Sequence, residues 1–356
     1  MPLFEQLIGT QTGLVITFLL TAFVVVVVGI RLSIYGDALG DRTGLGSGLI
    51  GLIFLAAVTS LPELVVSLTS VIKNSNLQQG ADLAVGNMLG SNIFNLLILA
   101  LMALLLPRFF TAANLKKSHT GELVYGLGLL FIFSVAFWGA SSVLVPGLQC
   151  SWLTLLLPIA YGFILWLEHR KQKKNTGNMG KDPKEQALTH LSATHFYGVL
   201  TLLCILIIGG GILLSILGSR MALPVTQGGF GLEASLVGTL FLAVSTSLPE
   251  LAISFSSIRL GFLDMAIGNV LGSNMFNLLI IFASDIAMRK DNLLQKASGE
   301  HGVSIVSIFL LTLLAAILIK AKSKKKIRMV AVIMVVVYLV SFLISAIFGP
   351  DFMALH

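Results

Sequence analysis

Glu63 and Glu250 each close the same pentapeptide, and each sits in a run of apolar residues where a carboxylate is costly to bury. In Thr59-Ser60-Leu61-Pro62-Glu63 and Thr246-Ser247-Leu248-Pro249-Glu250, two hydroxyls, a helix-disrupting proline and an acid fall within about one helical turn. The Thr and Glu of each set are four apart, so they share a helical face. A second pair of motifs adds Ser91 and Asn95, and Ser273 and Asn277, again four apart. Every donor offered is oxygen, and no His or Cys lies in any motif. Oxygen-only sets suit hard cations such as Ca²⁺ or Na⁺ and argue against zinc or copper. Two carboxylates neutralise one Ca²⁺ or two monovalent ions, which is what competition between them needs. The same side chains have plainer uses. A protonated glutamic acid can serve packing, Ser and Thr can satisfy carbonyls of the preceding turn, and Asn can bridge helices.

These motifs are doubled. Residues 51–64 and 238–251 share ten of 14 positions, and residues 82–98 and 264–280 share 13 of 17. A carboxylate repeated inside apolar spans beside a helix break is the pattern of a two-fold transporter site.

The elements that must position them are membrane helices. The chain has 356 residues, 56% hydrophobic and 11% charged, with a mean hydropathy of +0.95. Runs such as 13–34 exceed the ~20 residues that a helix needs to cross a bilayer. The patterning predicts an all-α integral membrane protein of ten spans, near 13–35, 46–72, 82–106, 121–140, 149–167, 196–218, 229–258, 264–287, 302–320 and 329–349. Spans 2 and 7 are long and interrupted by Pro62 and Pro249, and the motif-bearing spans 2, 3, 7 and 8 are expected to be broken helices. The copies of the first motif are five crossings apart and so run in opposite directions. The organisation expected is a five-plus-five inverted repeat: residues 1–167 (spans 1–5), a cytoplasmic linker 168–195, and residues 196–356 (spans 6–10), with the site between the halves.

Charge orients the chain. Of the 23 Lys and Arg, 18 fall on one side of this layout and five on the other. By the positive-inside rule the 18 are cytoplasmic and both termini lie outside. The formal net charge of +7 is a topology signal, not a nucleic-acid footprint. Residues 1–13 carry no basic n-region, so no cleaved signal peptide is expected. Cys150 and Cys204 make neither a disulfide framework nor a zinc site. Asp82 and Asp264 precede spans and read as helix N-caps. Asp285, whose counterpart is Ala103, reads as an outer-end residue. Gly209-Gly210-Gly211, inside span 6, marks a flexible or tightly crossed point. No HExxH or GxSxG motif points to an enzyme.

TSLPEL with GNMLGSNIFN in the first half, and TSLPEL with GNVLGSNMFN in the second, resemble the two alpha-repeats of the cation/Ca²⁺ exchanger superfamily, specifically its prokaryotic sodium/calcium exchanger branch. The motifs cover about a fifth of the chain. The resemblance implies Na⁺-driven Ca²⁺ export by alternating access across a prokaryotic cell (inner) membrane. Spans 1 and 6 would slide across the remainder as a gate. Ca²⁺ and Na⁺ would be substrates, with no cofactor and no obligate protein partner. Carried over, Glu63 and Glu250 would be the central ligands. Thr59, Ser60, Thr246, Ser247, Ser91, Ser273, Asn95 and Asn277 would complete the sites, with the carbonyls of Ala56 and Ala243. One departure matters: some members of the branch carry aspartate at the position of Asn277, so this chain has one ionisable group fewer.

Two other functions fit parts of the pattern. A Ca²⁺/H⁺ antiporter could use the two glutamates as proton carriers, although that branch shows a GNATE-like motif with its acid in another frame. A cation channel or passive cation-binding protein would need a filter ring or a carbonyl-lined loop.

Overall fold

The computed structural model describes residues 8–110, 119–139, 145, 150–175, 188, 191–230, 244–289 and 291–347. Its long helices are α1 (Gln11–Thr43), α2 (Gly46–Lys73), α3 (Leu77–Leu105), α4 (Thr120–Gly139), α5 (Trp152–Asn175), α6 (Ala193–Ala222), α7 (Leu248–Leu260), α8 (Leu263–Met288), α9 (His301–Ile319) and α10 (Lys324–Ile347). Among the described residues there is no strand, and every long helix except α7 is long and apolar enough to span a bilayer. Most of the segment leading into α7, residues 231–243, lies outside the described residues, and with it Ala243.

Apolar side chains gather in two clusters. The larger joins α3, α4, α5, α8, α9 and α10. The smaller joins α1 and α6 to residues of α2 and α7 that face them, among them Leu55, Val58, Ala252 and Ile253. Helices α3 and α8 are the most enclosed, and α2 packs along α8. The motif-bearing helices therefore sit centrally, with the α1–α6 pair laid against them.

The two prolines act differently. Pro62 lies within the helical run Ala56–Lys73, just after a π-helical stretch, Ile50–Leu55. That stretch widens the coil where α2 meets α8. Gly51 and Gly272 are in such close backbone contact with Met265 and Leu52 that neither has room for a Cβ. In the second copy the helix breaks. Ser247 leaves helical geometry, and Pro249 sits in the first turn of α7, where its missing N–H costs nothing.

Two expectations are corrected. Spans 3 and 8 are not broken: α3 and α8 run through their motifs, because neither contains a proline and their glycines keep every backbone donor. The polar stretch 168–195 is helical at both ends: α5 continues to Asn175, helped by Lys171 Nζ to Glu168 Oε1 at 2.9 Å, and α6 begins at Ala193. Asp82 and Asp264 are not N-caps. Asn76 caps α3, with Asp82 six residues further on, and Phe262 precedes α8.

Each of those aspartates instead binds a histidine of the opposite half. Asp264 Oδ1 is 2.8 Å from His119 Nε2, and Asp82 Oδ1 is 3.2 Å from His301 Nε2. His119 is fully buried, with Glu122 3.7 Å from its other ring nitrogen. Burial opposes a charge on His119, but Asp264 and Glu122 outweigh it and hold its pKa above the ordinary histidine value. The folded state therefore binds the proton more tightly. The stabilisation is fully present below the unfolded pKa of about 6.5 and is lost as pH rises through the higher folded value. His119→Gln should lower the melting temperature in detergent most at mildly acidic pH and least at alkaline pH. A deficit that grows with pH would contradict the assignment.

Candidate cation site

The two TSLPE motifs meet at the centre of the bundle. Glu63 and Glu250 are each 1% exposed, and Thr59, Ser60, Ser247, Asn95, Ser273 and Asn277 are wholly buried, with Ser91 and Thr246 nearly so. Contacts cross between the halves. Ser60 Oγ donates to Glu250 Oε1 at 3.2 Å, Thr59 Oγ1 and Ser273 Oγ are 3.3 Å apart, and Ser247 Oγ donates to Ser91 Oγ at 3.4 Å. Ser247 also approaches Glu63, and the Glu250 carboxylate is near enough for its charge to act on Glu63. Thr59 Oγ1 donates as well to the carbonyls of Leu55, at 3.0 Å, and Ala56, at 3.3 Å. This places the Ala56 carbonyl beside the cluster.

The chemical character of the site lies in its unpaired oxygens. Neither carboxylate oxygen of Glu63 has a hydrogen-bond partner, nor do Glu250 Oε2, Asn95 Oδ1 and Nδ2, and Asn277 Oδ1. Asn277 donates its Nδ2 to Asn92 Oδ1 at 3.0 Å, which leaves its own oxygen free. A buried polar atom without a partner costs about 1–3 kcal/mol, and more when it is charged. Two acids together in a low-dielectric interior, beside unpaired amide oxygens and hydrogen-bonded hydroxyls, offer the oxygen-only set that a hard cation takes. Among the described residues no three of His, Cys, Asp and Glu are placed to hold a metal ion together. Neutral oxygens must therefore fill most of any coordination shell here.

Asp285 does more than sit at an outer end. Asp285 ends α8 fully buried and accepts from Ser151 N, Thr154 Oγ1 and Leu293 N, at 3.1, 2.6 and 3.0 Å. It ties the start of α5 to the loop after α8, a role its lack of a repeat counterpart left unmarked. The Gly209–Gly211 run is a tight crossing: a Cβ on Gly211 would lie 2.5 Å from Pro62 Cγ and 3.1 Å from Pro249 Cγ.

A bundle of membrane helices closed around a doubled, oxygen-lined acidic site defines an ion transporter and not an enzyme. The chain belongs to the sodium/calcium exchanger protein family, whose description matches residues 13–168 and again 197–347. It is 30% identical to the inner membrane protein YrbG of Escherichia coli K12 over 285 residues, covering 74% of this chain and 78% of that protein. It is 24% identical to the sodium/calcium exchanger MaX1 of Methanosarcina acetivorans over 273 residues, covering 69% and 74%. In fold it resembles the sodium-calcium exchanger NCX_Mj, soaked with Na⁺ and Sr²⁺, with a TM-score of 0.66 at 21% identity over 94% of this chain and 97% of that one. The ten-helix inverted-repeat fold expected from the sequence is thereby established.

Proposed function

We propose that the chain exchanges Na⁺ for Ca²⁺ by alternating access, with both ions competing for the Glu63–Glu250 centre. The observation that carries this reading is the pair of buried carboxylates brought together from opposite halves with three of their four oxygens unpaired. The ligand set comprises Glu63, Glu250, Thr59, Ser60, Thr246, Ser247, Ser91, Ser273, Asn95 and Asn277, with the carbonyls of Ala56 and Ala243. The separate family matches to 13–168 and 197–347 support a division into two repeats near 1–167 and 196–356. The Lys and Arg asymmetry supports a cytoplasmic 168–195 segment and termini outside a prokaryotic inner membrane. The separation of the α1–α6 cluster from the main core supports that pair as the moving gate.

Competition is directly measurable. Radioactive Ca²⁺ should bind the purified protein at equilibrium and be displaced by Na⁺ with a sigmoidal dependence, since two monovalent ions replace one divalent. Ca²⁺ binding indifferent to Na⁺, but displaced by acid, would move the assignment to Ca²⁺/H⁺ exchange.

Asn277 offers a second handle. With Asn at both 95 and 277, the two glutamates are the only ionisable ligands proposed. Asn277→Asp adds a third acid, so the pH profile of Ca²⁺ flux and its Na⁺ dependence should both move. If neither changes, Asn277 is not at the ion site.

A further inference from the structure

The ligand faces do not stop at the ligands. On α3 the four-residue step that carries Asn95 and Ser91 continues to Asn87, and on α8 the step through Asn277 and Ser273 continues to Asn269. On α2, Glu63 is followed four residues on by Ser67, and on α7 Glu250 is followed by Ser254. These continuations meet in pairs. Asn87 Nδ2 donates to Ser67 Oγ at 3.1 Å, and Asn269 Nδ2 donates to Ser254 Oγ at 3.0 Å. Asn87 Nδ2 also reaches the Glu63 carbonyl, at 3.4 Å.

Each pair lies one turn beyond its glutamate, about 5.4 Å along the helix. Because the repeats run in opposite directions, one pair lies toward one membrane face and the other toward the opposite face. Ser67, Ser254 and Asn269 are wholly buried. A role confined to holding helices together would be met by the amide nitrogen and the hydroxyl alone. Asn269 Oδ1 is nevertheless buried with no partner, a costly arrangement unless the oxygen has a transient ligand.

We propose that Asn87–Ser67 and Asn269–Ser254 are outer cation-binding steps, one on each side of the glutamate centre, through which Na⁺ or Ca²⁺ passes between that centre and its own membrane face. The inference rests on the ion-exchange reading above. Each step offers amide and hydroxyl oxygens without formal charge. Such a set replaces part of a cation's hydration shell yet holds the ion weakly enough for it to move on, which conduction through successive sites requires. The charged centre then supplies the affinity.

The inverted placement makes the test side-specific. In proteoliposomes of determined orientation, the half-saturating Ca²⁺ and Na⁺ concentrations are measured with the ion applied at each face in turn. Asn269→Leu and Ser254→Ala should raise them roughly tenfold at one face and leave the other within about twofold. Asn87→Leu and Ser67→Ala should do the same at the opposite face. Equal shifts at both faces, or a lower maximal rate with unchanged half-saturation, would make the pairs packing contacts and overturn the proposal. The serine variants remove a single hydroxyl each and supply the answer if the leucine variants fail to fold. Wild-type protein separates failure of the exchange reading from failure of the outer steps. Ca²⁺ flux that ignores Na⁺ overturns the exchange reading while the side-specific Ca²⁺ measurement still decides on the outer steps. Absence of any Ca²⁺ flux overturns both.

Discussion

Glu63→Gln and Glu250→Gln should each reduce Ca²⁺ transport by two or more orders of magnitude while the protein still folds and inserts. Removing one of two negative charges leaves a bound divalent ion under-neutralised. At an effective dielectric of about 20, a unit charge 4 Å away contributes roughly 4 kcal/mol, enough for that loss. Folding should survive because the substitution removes little that holds the structure. Neither Glu63 oxygen has a hydrogen-bond partner, and a glutamine at 250 can still accept from Ser60. Uptake by reconstituted variants, beside melting curves of the same preparations, checks both halves of the expectation. Near-normal exchange by either variant would make that carboxylate structural.

Gly211→Val should disable exchange by more than tenfold with a smaller loss of stability. Gly211 brings α6 directly over both motif prolines, and Gly210 brings it against Val25 of α1, whose Cγ2 would be 2.6 Å from an added Cβ. Proline rings cannot rotate aside, so a side chain at 211 must lift α6 off the two motifs. Overpacking of this kind costs about 1–3 kcal/mol, which a bundle with two independent apolar clusters can absorb. The gating motion proposed for α1 and α6 cannot absorb it, because a helix that must seat against Pro62 and Pro249 while it slides loses one of its resting positions. Wild-type exchange by Gly211→Val would show that α6 does not work from this crossing.

The doubled pentapeptides carried most of the site to the surface of the sequence. A glutamate inside an apolar run is so costly that its repetition in inverted register has few explanations, and the structure brings Glu63 and Glu250 to one buried place as that register requires. Other features depended on contacts between the halves, which no local pattern encodes. Asp82 and Asp264 looked like caps because each precedes an apolar run, yet their partners, His301 and His119, lie more than a hundred residues away in sequence. The same holds for the prolines. Pro62 and Pro249 sit in identical pentapeptides, but one is accommodated within a helix after a π-helical stretch and the other begins a helix. Packing against α8 decides this for α2, where glycine contacts fix the widened turn. The breaks expected in spans 3 and 8 do not occur. Glycine weakens a helix without removing a donor, and close burial keeps both helices whole.

In the proposed exchange a Na⁺ gradient moves Ca²⁺ through the Glu63–Glu250 centre. Proteoliposome uptake of radioactive Ca²⁺ under imposed Na⁺, K⁺ or H⁺ gradients tests it most directly. Uptake should follow the Na⁺ gradient at fixed pH, reverse when that gradient is reversed, and vanish in Glu63→Gln. Uptake that follows a pH gradient and ignores Na⁺, or that runs down its own gradient without a counter-ion, would contradict it.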